Sequence, residues 1–306
     1  MRKPVLVLAL GGNALLRKGE KGAFEEQLSN LLRVAPSLLE LSKEYQLVVT
    51  HGNGPQVGNL YLQQESTSEA PPMPLHACVA MTQSLIGYLI QLAVNSFDPR
   101  ARVAVVPTRS LVDPEDPAFR EPTKPIGPYY PEPLCDALLA RGWSLVRIPG
   151  RGCRRVVPSP KPKRILDIDV IRELLGRVEI VVAAGGGGIP VVERGGRLEG
   201  VDAVIDKDLA SSLLARELGA DLLVILTDVE GVYLNYGKPD ARLLTRLCAS
   251  EAERLLSEGY FPAGSMGPKV EACVEFVKRG GRAAIGSLEK VLEVVRGVSG
   301  TLVENC

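Results

Sequence analysis

Three glycine-rich segments and three lysines are the places where this 306-residue chain could do chemistry. The segments are Leu10-Gly11-Gly12-Asn13, Thr50-His51-Gly52-Asn53-Gly54-Pro55-Gln56-Val57-Gly58 and Ala184-Gly185-Gly186-Gly187-Gly188-Ile189-Pro190. Each closes a short apolar run. Glycine lets the backbone turn sharply and approach a ligand closely, and free N–H groups at a helix start attract an anion. One such loop says little, whereas three at the carboxyl ends of strands in one sheet point to a phosphate-rich ligand. The bland alternative, three tight turns, stands beside that reading.

The chain has only twelve lysines against twenty-four arginines, so individual lysines are informative. Lys207 stands in Ile205-Asp206-Lys207-Asp208 just before a helical run, and Lys269 follows Gly264-Ser265-Met266-Gly267-Pro268 at a helix start. A cation opposes the dipole at both places, so helix stability does not explain either. Lys124 is held between prolines in Pro122-Thr123-Lys124-Pro125-Ile126-Gly127-Pro128. Phosphoryl transfer needs cations around the transferring group, and these three are suited to supply them. A surface role is the alternative for each lysine taken alone.

Other chemistries lose ground. The loop G-x-x-x-x-G-K-[ST] is absent, and the second glycine segment reads G-x-G-x-x-x-G, not the dinucleotide pattern G-x-G-x-x-G. The histidines are His51, read as structural, and His76, and no nucleophile–histidine–acid arrangement suggests a covalent intermediate. Six scattered cysteines form no C-x-x-C pair, so zinc and thioredoxin-like motifs are missing and most are expected to be small buried apolar side chains.

The elements that must position these groups show as an alternation. Apolar runs at Val5–Leu10, Gln46–Thr50, Val103–Pro107, Ile180–Ala184, Leu222–Thr227 and Ala283–Ile285 read as strands. Helical patterns occupy Phe24–Leu41, Gln56–Gln64, Ala77–Asn95, Asp167–Gly176, Asp208–Leu218, Ala249–Glu258 and Lys269–Arg279. That order is the mark of βαβ units and a parallel sheet covered by helices on both faces. In Ala77–Asn95, Val79, Ile86, Leu89 and Ile90 could face a core or a second subunit, or share both roles. From Asp113 to Lys163 eleven prolines interrupt the rhythm and exclude central strands and long helices. This stretch is expected to be a small protruding subdomain over a site, with a linker as the alternative.

Thirty-six basic and thirty-six acidic residues cancel, so no global field favours nucleic acid or an anionic membrane. The apolar run after Met1-Arg2-Lys3-Pro4 is too short for a signal-peptide core. The uncharged stretch from Ala70 to Phe97 carries Pro71, Pro72, Pro74, His76, Thr82, Gln83 and Asn95, which a membrane span tolerates poorly. The expectation is a cytoplasmic protein with no nucleic-acid or membrane partner.

Read together and in order, five motifs resemble the carbamate kinases of the amino-acid-kinase superfamily. They are His51-Gly52-Asn53-Gly54-Pro55-Gln56-Val57-Gly58, Pro122-Thr123-Lys124-Pro125, Val156-Val157-Pro158-Ser159-Pro160, Ile205-Asp206-Lys207-Asp208-Leu209-Ala210 and Gly264-Ser265-Met266-Gly267-Pro268-Lys269. The resemblance implies one domain over 1–306, a three-layer αβα sandwich around a largely parallel sheet, with residues 113–163 as a lid. It implies a homodimer and reversible transfer from ATP, with Mg²⁺, to carbamate, giving carbamoyl phosphate and ADP. On this basis Gly11, Gly12, Asn13, Gly52, Asn53 and Gly54 would hold carbamate and the transferring phosphoryl group. Lys207 and Lys269 would offset its charge, Lys124 would close from the lid, and Asp208 would hold the lysines, helix capping being its plainer role. Thr227, Asp228, Tyr236, Gly264, Ser265 and Met266 fall in segments that resemble the nucleotide site, and Asp206 is a weak candidate near the metal, whose ligands stay unknown. Relatives such as acetylglutamate kinase carry lysine where this chain has Ala9, and Cys153 stands where an aromatic residue is expected. Two alternatives remain: another kinase of the superfamily acting on a different small acid or a phosphate ester, and a non-catalytic sensor of nucleotide or carbamoyl phosphate.

Overall fold

The strand Val5–Leu10 lies at the centre of the molecule because both of its faces are apolar. Leu6, Leu8 and Leu10 join Leu31, Leu38, Ile86 and Ile90 in one core, while Val5, Val7 and Ala9 join Leu214, Val270 and Ile285 in the other. A strand covered on both sides reads as an unbroken apolar run, as this one does. The structure, a computed structural model, describes residues 2–17, 19–66, 69–262 and 264–306, and of Asn13 the backbone alone.

Eight strands form the main sheet in the order Arg246–Cys248, Thr301–Glu304, Arg282–Ser287, Leu222–Thr227, Val5–Leu10, Gln46–His51, Ile180–Val182 and Val103–Val105. All neighbours run parallel except Arg282–Ser287 against Thr301–Glu304. Helices Phe24–Glu44, Leu75–Asn95 and Val291–Val295 cover one face; Ile168–Leu174, Lys207–Leu218, Ala249–Ser257 and Met266–Val277 cover the other. The expected three-layer sandwich is therefore present. The chain first builds from Val5–Leu10 toward Gln46–His51 and later returns to pair Leu222–Thr227 on the opposite side. Ligands of such sheets bind at that switch, beyond the carboxyl ends of the strands.

Leu75–Asn95 is long and apolar enough to cross a membrane by length and composition. Here it is a core helix: Val79, Ile86, Leu89 and Ile90 are fully buried, and Met81, Leu85 and Tyr88 form its exposed side. The four residues whose role was open in the sequence thus belong to the interior.

The proline-rich stretch is not linker. Strands Arg109–Val112 and Pro162–Ile165 join Ile189–Arg194 and Arg197–Gly200 in a separate four-stranded sheet. The part that forms its own unit is narrower than 113–163: strands Lys124–Tyr130, Leu145–Ile148 and Gly152–Val157 make a three-stranded antiparallel sheet, with helix Glu132–Ala140 between the first two. Pro125 and Pro128 fit because Lys124–Tyr130 is an edge strand. The cysteine expectation also needs correction. Cys135 pairs with Cys153 inside this unit and Cys248 with Cys306 at the end of the main sheet, leaving Cys78 and Cys273 as buried thiols. Spacing alone does not reveal which sulfurs meet across a fold.

Candidate active site

Beyond the carboxyl ends of the central strands lies a cavity of about 180 Å³ lined by Gly12, Gly52, Asn53, Gly54, Lys124, Gly186, Asp206, Lys207, Asp208, Gly264, Ser265 and Lys269, with Val204 and Ile205 beside them. Residues scattered over more than 250 positions thus meet at the sheet's switch point. Gly11 stands just behind this wall: a Cβ there would lie 2.6 Å from the Leu226 carbonyl oxygen, so only glycine lets the first loop cross the end of the neighbouring strand. Gly12 faces open space. The side chain of Asn13 lies outside the described residues.

The second loop leads into helix Gly54–Gln64, whose first turn carries Pro55. Gly52 leaves room for the stem of Lys207, since a Cβ there would sit 3.2 Å from Lys207 Cδ. Asn53 is nearly buried and its Nδ2 donates to Thr82 Oγ1 at 3.0 Å, so one amide hydrogen is already engaged within the fold. Of the third glycine run only Gly186 lines the cavity. Its φ of +62° suits glycine, and a Cβ there would strike the Asn53 side chain at 2.3 Å.

The charged floor comes from two helix starts. Helix Lys207–Leu218 is capped by Asp206, whose carboxylate accepts from the Asp208 N–H at 2.9 Å. The capping role weighed for Asp208 thus belongs to its neighbour. Asp208 is 3% exposed and accepts from Lys207 through Oδ1 and from Lys269 through Oδ2, the latter at 2.8 Å. Lys269 reaches it from the first turn of helix Met266–Val277, which starts three residues before the expected Lys269. Lys124, on the edge strand of the small sheet, contacts Asp206 at 2.6 Å from the other side. Three ammoniums against two carboxylates leave the cavity positive, with the amino ends of two helices adding to the field.

Burial by itself would raise the carboxyl pKa of Asp208, but Lys207 and then Lys269 overrule it and hold it well below the usual carboxylate range. Burial lowers Lys207, and the nearby Lys269 adds to that, against the pull of Asp208. Burial also opposes the charge on Lys269, yet its contacts with Asp208 prevail and the net direction is up. The two lysines are thus pushed in opposite directions, and Lys207 is the one that burial inclines to give up its proton first as pH rises. His51 is buried with its Nδ1 against the Gly52 carbonyl, and burial lowers it to about 4, so it stays neutral as a structural residue.

Other sequence-selected residues lie outside this cavity lining. Thr227 ends the strand beside Gly11, and its hydroxyl donates to the Asp228 carboxylate at 3.1 Å. Tyr236 is exposed, edge-on to Tyr233 with ring centroids 5.6 Å apart. Met266 opens the Lys269 helix and packs toward the core. Sequence reasoning did not single out Gly186, Val204 or Ile205 as lining residues; the four-glycine run was the available signal, and the other glycines of that run serve packing against His51, Ile205 and Ser110. Among the described residues, no cluster of three or more His, Cys, Asp or Glu side chains could hold a metal ion.

The family model that matches the chain is the amino acid kinase family, over residues 4–287. The carbamate kinase of Thermococcus kodakarensis is 47% identical over 309 residues, covering 97% of this chain and 98% of its own length. Giardia lamblia carbamate kinase bound to AMP-PNP superposes with a TM-score of 0.90 at 42% identity, and its structure bound to citric acid with 0.92 at 40%; each covers 99% of both chains. With the strand order and lysine pair already in place, these matches settle the family: the chain belongs to the amino acid kinases, and among them to the carbamate kinases.

Proposed function

We propose that this chain transfers the γ-phosphoryl group of ATP reversibly to carbamate, giving carbamoyl phosphate and ADP. The observation that carries the mechanism is the buried Asp208 shared by Lys207 and Lys269 at the floor of the glycine-lined cavity. Carbamate is already an anionic oxygen nucleophile, so no general base is required, and none is placed here. The carbamate oxygen forms a bond to phosphorus as the bond from phosphorus to the bridging oxygen of ADP breaks. The N–H groups of Gly11, Gly12, Gly52 and Gly54 and the amides of Asn13 and Asn53 hold carbamate and the moving group. Lys207 and Lys269 offset charge on the equatorial oxygens and the leaving ADP. Asp208 favours the charged form of both lysines and aims them.

Residues 113–163 act as the lid in this reading, built around the three-stranded unit, and Lys124 closes on the phosphoryl group once substrate oxygens replace Asp206 as its partner. Nucleotide lies against Thr227, Asp228, Tyr236, Gly264, Ser265 and Met266. The donors present do not make a protein cage for Mg²⁺, because Asp206 and Asp208 already serve lysines and a backbone N–H; a Mg²⁺ ion brought by the nucleotide would rely on phosphate oxygens and would supply charge neutralisation there. We assign no step to it.

The small cavity, about 180 Å³, favours a small acyl phosphate over a long acylamino acid. The test is a panel of acceptors with ATP: carbamate, an acylated amino acid and a nucleoside monophosphate. Turnover confined to carbamate supports the reading, and a larger acceptor used equally well would overturn it. The exposed strip of Met81, Leu85 and Tyr88 favours a homodimer packed on helix Leu75–Asn95; a monomeric mass by sedimentation would refute that. We place the enzyme in the cytoplasm, where its two disulfides have precedent among intracellular proteins of hyperthermophiles.

A further inference from the structure

Resting on the reading of Lys124 as the lid lysine, we infer that Arg155 is its positioning residue, riveting the lid to the helix whose first turn helps form the cavity. The Arg155 guanidinium lies between two rings, with Cζ 4.5 Å from the centroid of Tyr61 and 4.2 Å from that of Trp143. Its Nη1 donates to both carboxylate oxygens of Glu65 at 2.9 Å. Tyr61 lies on helix Gly54–Gln64 and Glu65 caps it, whereas Trp143 and Arg155 belong to the three-stranded unit. A planar cation is suited to this double stacking, and a lysine is not. An ordinary surface ion pair needs no such enclosure, and Arg155 is only 18% exposed.

The register carries the consequence to the cavity. Arg155 pairs across the sheet with Ile126, and Val157 pairs with Lys124, so the lysine backbone lies two residues from the rivet on the adjacent strand. A second contact pins the same strand to the same helix: a Cβ on Gly58 would fall 1.8 Å from the Gly127 nitrogen. The helix has eleven residues, about 16 Å, with Gly54 at the cavity and Glu65 at the clamp. Lys124 meets Asp206 inside the cavity, where substrate oxygens compete for it; the Arg155 clamp is outside that competition. It is the fixed end from which the lid strand reaches over the site.

The test is a double-mutant cycle read by kinetics and thermal melting. Arg155→Met and Arg155→Lys should each lower kcat about tenfold while KM for carbamoyl phosphate and ADP stays within about twofold. In a Lys124→Met background, Arg155→Met should change kcat by less than about twofold, because its effect passes through the missing amine. Glu65→Gln gives the same pattern with a smaller loss and serves if the arginine variants do not fold. Equal fold losses in both backgrounds, or a lowered melting temperature with unchanged kcat, would overturn the inference. If Lys124→Met by itself leaves kcat unchanged, the lid-lysine reading falls and the clamp with it. If Lys124→Met is impaired while Arg155→Met and Glu65→Gln are not, the clamp alone falls.

Discussion

Asp208→Asn keeps the side-chain shape and removes the one charge that both floor lysines share. Lys269 Nζ is 2.8 Å from the carboxylate, and Lys207 contacts its other oxygen. An opposite charge at about 4 Å and an effective dielectric of about 20 is worth about 4 kcal/mol, which corresponds to about 3 pK units on the partner. Asp206 still contributes to both lysines, so removing Asp208 lowers each of them without removing all of their support. Lys207, already lowered by burial, then loses its proton first, and the alkaline limb of kcat should move to lower pH. At neutral pH the loss of aimed charge should cost at least about a hundredfold in kcat.

The stability sign follows from the depressed Asp208 carboxyl. Its contribution is fully present above the unfolded value near 4 and is lost as pH falls through the lower folded value. Asp208→Asn should therefore destabilise by about 3–5 kcal/mol at neutral pH, and the gap to the parent should close in acid. The assay is kcat against pH from about 6 to 10 with urea melts on the same samples. An alkaline limb that stays in place, with kcat reduced less than about threefold, would refute the reasoning.

The His51 pKa falls from 6.5 to about 4 on folding, which is worth about 3 kcal/mol. That stability is full above about pH 6.5 and declines toward pH 4, and His51→Gln should flatten this slope, as pH-dependent urea melts will show. Gly58→Ala drives a methyl group into the Gly127 backbone at 1.8 Å and should cost about 1–3 kcal/mol together with activity; unchanged melting and kcat would contradict the lid contact. Removing the Cys248–Cys306 bridge, whose sulfurs are 58 residues apart in the chain, should cost about 4 kcal/mol, and removing Cys135–Cys153, 18 apart, about 3. Thermal melts of the corresponding serine variants, with and without reductant, check both.

The central strands were legible because an apolar run closed by glycine has few other uses. Val5–Leu10 and Leu222–Thr227 end where the sequence places them, and most helices begin or end within a few residues of their patterns. The lysine pair was legible for an electrostatic reason, since two cations at helix starts need a compensating partner. What sequence left open was whether Asp208 caps the helix or holds the lysines, and it did not give the cap to Asp206. The division rests on one residue's backbone: Asp206 is extended at φ −71° and ψ 124°, so it caps the helix, while Asp208 turns inward. The Arg155 clamp was hidden because Glu65 is 90 residues away and no local pattern marks it. The prolines correctly excluded long helices, but not a central strand: Gly152–Val157 carries no proline and runs between two partners, one of them the edge strand that bears Lys124. The disulfides were hidden for the same reason of distance, set by packing and not by spacing.

The central claim is that the Asp208-linked lysines and the glycine loops perform phosphoryl transfer between carbamoyl phosphate and ADP. Its most direct test is ATP formation by the purified chain from ADP, Mg²⁺ and carbamoyl phosphate, with acetyl phosphate as control donor and the Lys207→Met and Lys269→Met variants alongside. The account predicts rapid ATP formation strongly favouring carbamoyl phosphate and lost in both variants. Folded, nucleotide-binding protein that forms no ATP above the uncatalysed rate, or variants as active as the parent, would contradict it.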